Sequence, residues 1–139
     1  MNEKRRRIIE EARTWLGTPF KHQGRTKGRG CDCVGLLVES AKDIPGFRFK
    51  DDISYGHQPH TSTILNQTSK YLEKITLAEA QPGDIVLLYF ERDPTHFGIL
   101  TDKGIIHAYA MGKREVVEHG FSKDWENRIV SVFKIPGVD

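Results

Sequence analysis

Apolar residues recur with one period in the first half of this 139-residue chain and with another in the second. Between Glu3 and Leu16, the residues Ile8, Ile9, Ala12, Trp15 and Leu16 fall on one stripe of an amphipathic helix. Gly17 ends that helix, and Thr18-Pro19 prevents its resumption. Lys21 to Gly30 has three glycines, basic residues and no period, which predicts a loop that approaches something closely. Val34 to Ala41 is apolar on more than one side, as in a short buried helix, and Ile44-Pro45-Gly46 closes it. Phe47 to His60 reads as a surface excursion. Thr61 to Glu73 reads as a second, more polar helix with Ile64, Leu65, Thr68, Tyr71 and Leu72 on one face.

After Pro82-Gly83-Asp84 the pattern becomes that of strands. Ile85 to Phe90 is a buried strand, and Phe97 to Thr101 and Ile105 to Tyr109 form a hairpin around Asp102-Lys103-Gly104. Glu115 to Glu118 and Ile129 to Phe133 supply two more. Helices followed by an antiparallel sheet of about five strands predict an α+β fold. With no repeat, linker or low-complexity stretch, one domain over residues 1–139 accommodates the whole chain.

Composition removes several classes of function. Twenty-one Lys and Arg against nineteen Asp and Glu leave a net charge of +2, too balanced for a protein that neutralises a nucleic-acid backbone. The Lys4-Arg5-Arg6-Arg7 cluster reads as a solvated helix face. The longest apolar run, Ile85 to Phe90, falls far short of the roughly 20 residues that span a bilayer. Ile8-Ile9-Glu10-Glu11 follows the basic cluster where a secretory signal requires an unbroken apolar stretch, so synthesis in the cytoplasm without a signal peptide is expected. The only cysteines, Cys31 and Cys33, would lie nearly 7 Å apart in an extended stretch (about 3.3 Å per residue), outside ordinary disulfide geometry.

Cys33 lies where the glycine-rich loop meets a helix start, a place whose unsatisfied N–H groups and dipole stabilise a thiolate. A cysteine nucleophile needs an imidazole to take its proton and a further group to orient that imidazole. Among six histidines, His96 and His107 stand on the two strands of the predicted hairpin, eleven positions apart, and that register makes them cross-strand neighbours. Cys31-x-Cys33 with His22, His57 or His60 offers soft metal ligands, but the one-residue gap is unlike the two- to four-residue spacing of structural zinc sites, so no metal is assigned. Cys31 is read as packing near the site, Trp15 and Trp125 as core or core-edge residues, and Asp84 as a cap for the Pro82-Gly83 turn.

Gly17-Thr18-Pro19-Phe20, Gly30-Cys31-Asp32-Cys33-Val34-Gly35-Leu36, Pro82-Gly83-Asp84-Ile85-Val86, His96-Phe97-Gly98-Ile99-Leu100 and Ile106-His107-Ala108 resemble, in order and spacing, the NlpC family of papain-like bacterial cell-wall cysteine peptidases. The Gln23-Gly24-Arg25 loop and the Ser54-Tyr55 segment are most similar to the branch encoded by phages and prophages. The resemblance implies a papain-like fold with Cys33 as nucleophile, His96 as base and then acid, and His107 as the group orienting His96. It implies hydrolysis in peptidoglycan stem peptides, between γ-D-glutamate and the diamino acid, with no cofactor and with phage tail proteins as candidate partners. Two positions depart from the family pattern: Val34 stands where most members carry Ser and Phe20 where they carry Tyr, hydroxyls that help hold the substrate's amine. Asp32 remains to attract that ammonium group, and Arg25 or His22 is placed to fill the gap, Arg25 by binding a substrate carboxylate. The same fold also accommodates another thioester-forming amidase or acyltransferase, or a tail component without catalysis.

Overall fold

The computed structural model describes residues 1–51, 68–90 and 93–139. Helix α1 spans Glu3–Arg13, with Asn2 accepting the Arg5 N–H as its N-cap. Helix α2 spans Cys33–Ala41. Arg25–Thr26 (β1) and Gly30–Cys31 (β2) form a two-residue antiparallel ladder inside the glycine-rich loop. The main sheet holds β3 (Glu73–Ile75), β4 (Ile85–Phe90), β5 (Asp93–Thr101), β6 (Gly104–Ala108), β7 (Val116–His119) and β8 (Ile129–Lys134). Its order is β3-β8-β4-β5-β6-β7, and every pairing is antiparallel. A single-turn helix α3 (Lys123–Glu126) precedes β8.

The expected α+β architecture is therefore present, with six strands in the main sheet where about five were predicted. The added strand, β3, occupies an edge with two exposed charged residues, and it begins where the second helix was expected to end. Residues 61–67 of that helix lie outside the described residues, as do Ser54, Tyr55, His57 and His60.

Helices α1 and α2 cover one face of the sheet. Ile8, Ala12, Leu36 and Leu37 meet Ile85, Leu87, Phe97, Ile99 and Ile106 there. On the opposite face Val86, Leu88, Ile105 and Val132 form a second cluster, closed by Phe90, Phe121 and Trp125. Strand β4 is buried from Ile85 to Leu88 because both layers use it. No helix among the described residues is long and apolar enough to cross a membrane.

One member of the basic cluster departs from the solvated reading. Arg5 is 1% exposed and bonds Asp84 Oδ1 at 2.7 Å, the Pro82 carbonyl at 3.1 Å, and both carboxylate oxygens of Asp139 at 3.0 and 2.9 Å. Asp84 caps the turn as predicted, accepting the Gln81 N–H at 2.7 Å. Gly83 turns there with φ +93°, and a Cβ on it would lie 2.9 Å from that of Arg5. Arg5 is thereby a clamp that joins α1, the start of β4 and the last residue of the chain.

Candidate active site

Cys33 occupies the first position of α2, and the preceding residue is its N-cap. The glycine-rich loop closes against this helix start: a Cβ on Gly24 would lie 2.6 Å from the Gly30 carbonyl oxygen, and one on Gly35 would overlap the Gly24 carbonyl. What the loop approaches closely is thus the helix that begins at Cys33. Residues 17–21 then strap this assembly to the sheet. Gly17 N–H bonds the Val116 carbonyl at 3.0 Å, Val116 N–H bonds the Thr18 carbonyl at 2.9 Å, and Phe20 N–H bonds the Arg114 carbonyl at 2.7 Å. Cys31 N–H bonds the Pro19 carbonyl at 3.0 Å, and Lys21 N–H bonds the Cys31 carbonyl at 2.9 Å. Because Val116 pairs with Ala108, this backbone network connects the start of α2 to the strand that carries His107.

The two cysteines have opposite environments. Cys31 is fully buried, and burial together with the neighbouring Asp32 charge pushes its thiol up to about 12, which leaves it protonated and unreactive. Cys33 is half-buried, and neither cysteine is in a disulfide.

Asp32 is committed to structure. Its Oδ1 accepts the Gly35 N–H and an Arg25 Nη1 hydrogen, each at 2.9 Å, and its Oδ2 accepts the Gln23 N–H at 2.8 Å. Gln23 is held in a left-handed conformation, φ 63°, to make that bond. The carboxylate expected to attract a substrate ammonium group thus caps α2 and pairs internally. Arg25 is paired through both sides of its guanidinium. Its fork grips Asp51 through Nε and Nη2, at 2.9 and 3.1 Å, so the face expected to bind a substrate carboxylate already holds one. Val34, expected beside the substrate, is 2% exposed and packs in the core, since the second position of α2 points inward. Phe20 is half-buried against the same core, and His22 is half-buried between the strap and β1.

The histidines stand on the sheet face that carries Leu88 and Ile105. His96 pairs with Leu88 near the start of β5, and its Nε2 lies 2.7 Å from His107 Nδ1 on β6. The cross-strand approach expected from the hairpin register is thus present, with Ile99 opposite Ile106 setting the ladder. Gly98 makes room for it, because a Cβ there would press on Ile105 and lie 3.5 Å from the His107 Cβ. His107 is fully buried, and its Nε2 lies 2.9 Å from Nε2 of His119, the last residue of β7. His119 Nδ1 lies 2.9 Å from the Gly120 carbonyl oxygen. Trp125 from α3 lies over this row, 5.0 Å from the His107 ring and 4.5 Å from the His119 ring. Phe90 packs edge-on to His96 at 5.1 Å.

Burial disfavours protonation of His96 and His107. Desolvation brings His96 down to about 4, and His107 is pushed lower still by burial and by the neighbouring positions of His96 and His119. Both rings are neutral at physiological pH. His119 was not identified from sequence, and Trp125 was read only as core or core-edge. The signal for His119 lay in the alternation of Val117 and His119 opposite His107 and Ile105. Among the described residues no group of three or more His, Cys, Asp or Glu side chains is arranged to hold a metal ion.

Solved structures share this fold. An NlpC/P60-type lipoprotein-like protein of Staphylococcus aureus matches with a TM-score of 0.64 and 19% identity over 98% of this chain. This chain spans 42% of the length of that protein. The NlpC/P60 domain of the peptidoglycan hydrolase SagA matches with a TM-score of 0.64 and 21% identity, covering 96% of this chain and 99% of the domain. RipD of Mycobacterium tuberculosis, described as a non-catalytic NlpC/P60 domain protein adapted to peptidoglycan binding, matches at 0.60 with 17% identity over 96% of this chain and 98% of its own. No curated protein matches the chain. The sequence pattern of the NlpC/P60 family matches residues 17–134, a span that takes in the strap, Cys33 and all three histidines of the row, and the chain belongs to that family.

Proposed function

We propose that this protein is a cysteine peptidase that hydrolyses an amide bond in peptidoglycan stem peptides, of the γ-D-glutamyl-diamino acid type. The observation that carries the reading is the His96–His107 contact at 2.7 Å, made by a neutral pair whose inner member, His107, is fully buried, in a chain whose one partly accessible cysteine begins a helix. His96 Nε2 is engaged with His107, so Nδ1 is the atom that serves the thiol. In this mechanism the Cys33 thiol passes its proton to His96 Nδ1 at the rim of the sheet, and the sulfur attacks the scissile carbonyl carbon. The backbone N–H of Cys33, in the first turn of α2, meets the oxyanion. Collapse breaks the C–N bond as His96 returns the proton to the leaving amine. Water, deprotonated by His96, then hydrolyses the thioester and frees Cys33. His107 orients His96 throughout, and no cofactor takes part.

The SagA likeness supports a hydrolase, and the RipD likeness supports peptidoglycan as the ligand. Delivery through a phage tail, after cytoplasmic synthesis and with tail proteins as partners, is carried by the sequence resemblance of the 23–25 and 54–55 segments alone. The test is release of new amino termini from purified sacculi, or from a γ-D-glutamyl-diamino acid tripeptide, by the wild type and by Cys33→Ala. Release by the wild type alone is expected. Equal release by both proteins, or binding to sacculi without release, overturns the reading.

A further inference from the structure

A catalytic pair made of two histidines is ambiguous in a way that a histidine paired with a carboxylate is not. Each neutral imidazole has one donor and one acceptor nitrogen, so the 2.7 Å contact between His96 Nε2 and His107 Nδ1 can run in either direction. Only one direction leaves a lone pair on His96 Nδ1. In the other, Nδ1 carries the hydrogen and cannot accept a proton from a thiol.

We propose that His119 is a positioning residue that removes this ambiguity. The Gly120 carbonyl oxygen, 2.9 Å from His119 Nδ1, can only accept, so Nδ1 carries the hydrogen. In the neutral His119 ring Nε2 is then an acceptor, and the facing His107 Nε2, at 2.9 Å, must donate. His107 Nδ1 is in turn an acceptor, and His96 Nε2 donates to it. One backbone carbonyl at the end of β7 thus sets the tautomer of three rings in succession and exposes the lone pair of His96 Nδ1. The row is held in place mechanically as well. Trp125 contacts the rings of His107 and His119, and Arg128 lies over the Phe90 ring at 4.7 Å, beside the same aromatic group. His107 is fully buried, so water does not compete to satisfy its nitrogens in the opposite sense. The value of this direction for turnover rests on the peptidase reading, whereas the direction itself does not.

The test is the ring-nitrogen NMR signature of ¹⁵N-histidine-labelled protein, read alongside hydrolysis. In the wild type, His96, His107 and His119 are expected to show Nε2–H, Nε2–H and Nδ1–H respectively. His119→Phe keeps a ring beneath Trp125 but offers no acceptor. It should give mixed tautomers at His96 and His107 and lower kcat by about 10- to 100-fold with KM little changed. His119→Gln, whose side-chain oxygen restores the acceptor, should recover the wild-type signature and most of the activity. Should the phenylalanine variant fail to fold, the wild-type signature and the glutamine variant decide the matter. A hydrogen on His96 Nδ1 in the wild type, or unchanged tautomers in a folded His119→Phe protein, overturns the proposal. The stated tautomers in a protein that hydrolyses nothing would uphold the relay and refute the peptidase reading. Hydrolysis without those tautomers would do the reverse.

Discussion

Two hydrogen-bonded networks lie inside this molecule, each joining three separate segments, and they are built on opposite principles. In the Arg5–Asp84–Asp139 network every member is ionic, so donor and acceptor are assigned by chemistry before the chain folds. In the His96–His107–His119 row no link is assigned by charge: each imidazole nitrogen can donate or accept, and each link acquires its direction only from its neighbour. The ionic network holds position, because a lone charge left in that site has no solvent to turn to. In the histidine row burial keeps His96 and His107 uncharged, so what their contact fixes is the position of a hydrogen and not of a charge.

Substitution should separate the two by what is lost. His96→Ala is expected to lower kcat/KM by about 10²- to 10⁴-fold, the ordinary worth of a positioned acid-base group, measured on the tripeptide substrate. Arg5→Met is expected to lower unfolding free energy by about 3 to 5 kcal/mol in urea denaturation, since it strands Asp84, while each folded molecule retains its turnover. Adding Asp84→Leu to Arg5→Met should recover much of that loss, which would show that the penalty came from the orphaned charge.

Acidity should act on the neutral row. His96 in the native state takes a proton only near pH 4, and in the unfolded chain near 6.5. Between those values the unfolded state binds more protons, so stability falls with pH, fully present above about 6.5 and fully lost below about 4. The loss amounts to about 3 kcal/mol for His96, with His107 adding in the same direction. A denaturation series from pH 7 to 4 should show this slope, and His96→Ala should flatten it. The smallest expected effect is at Gln23: glycine tolerates its left-handed φ of 63°, so Gln23→Gly should raise stability by up to about 1 kcal/mol.

Particular residues show why part of this was legible in the sequence. Strand β4 follows Ile85 to Phe90 to the residue, because a continuous apolar run between two layers has no other stable placement. The hairpin turn at Asp102-Lys103-Gly104 fixed which residues of β5 and β6 meet, and so brought His96 to His107. Arg5 was missed although it lies three and four positions before Ile8 and Ile9, on the apolar stripe itself; its charge outweighed its place in the period. The four-residue α3 and the three-residue β3 are too short to show any period. The internal pairing of Asp32 with Arg25 and Asp51 depends on how the loop closes over α2, a three-dimensional fact without a trace in spacing.

The clamp at Arg5 also brings the first and last residues of the sequence together. Asn2 Nδ2 bonds the Val138 carbonyl and the Asp139 carboxylate, each at 3.0 Å, and Lys4 Nζ bonds the Gly137 carbonyl at 2.8 Å. Fraying of the first turn of α1 and release of residues 137–139 are therefore one event and not two.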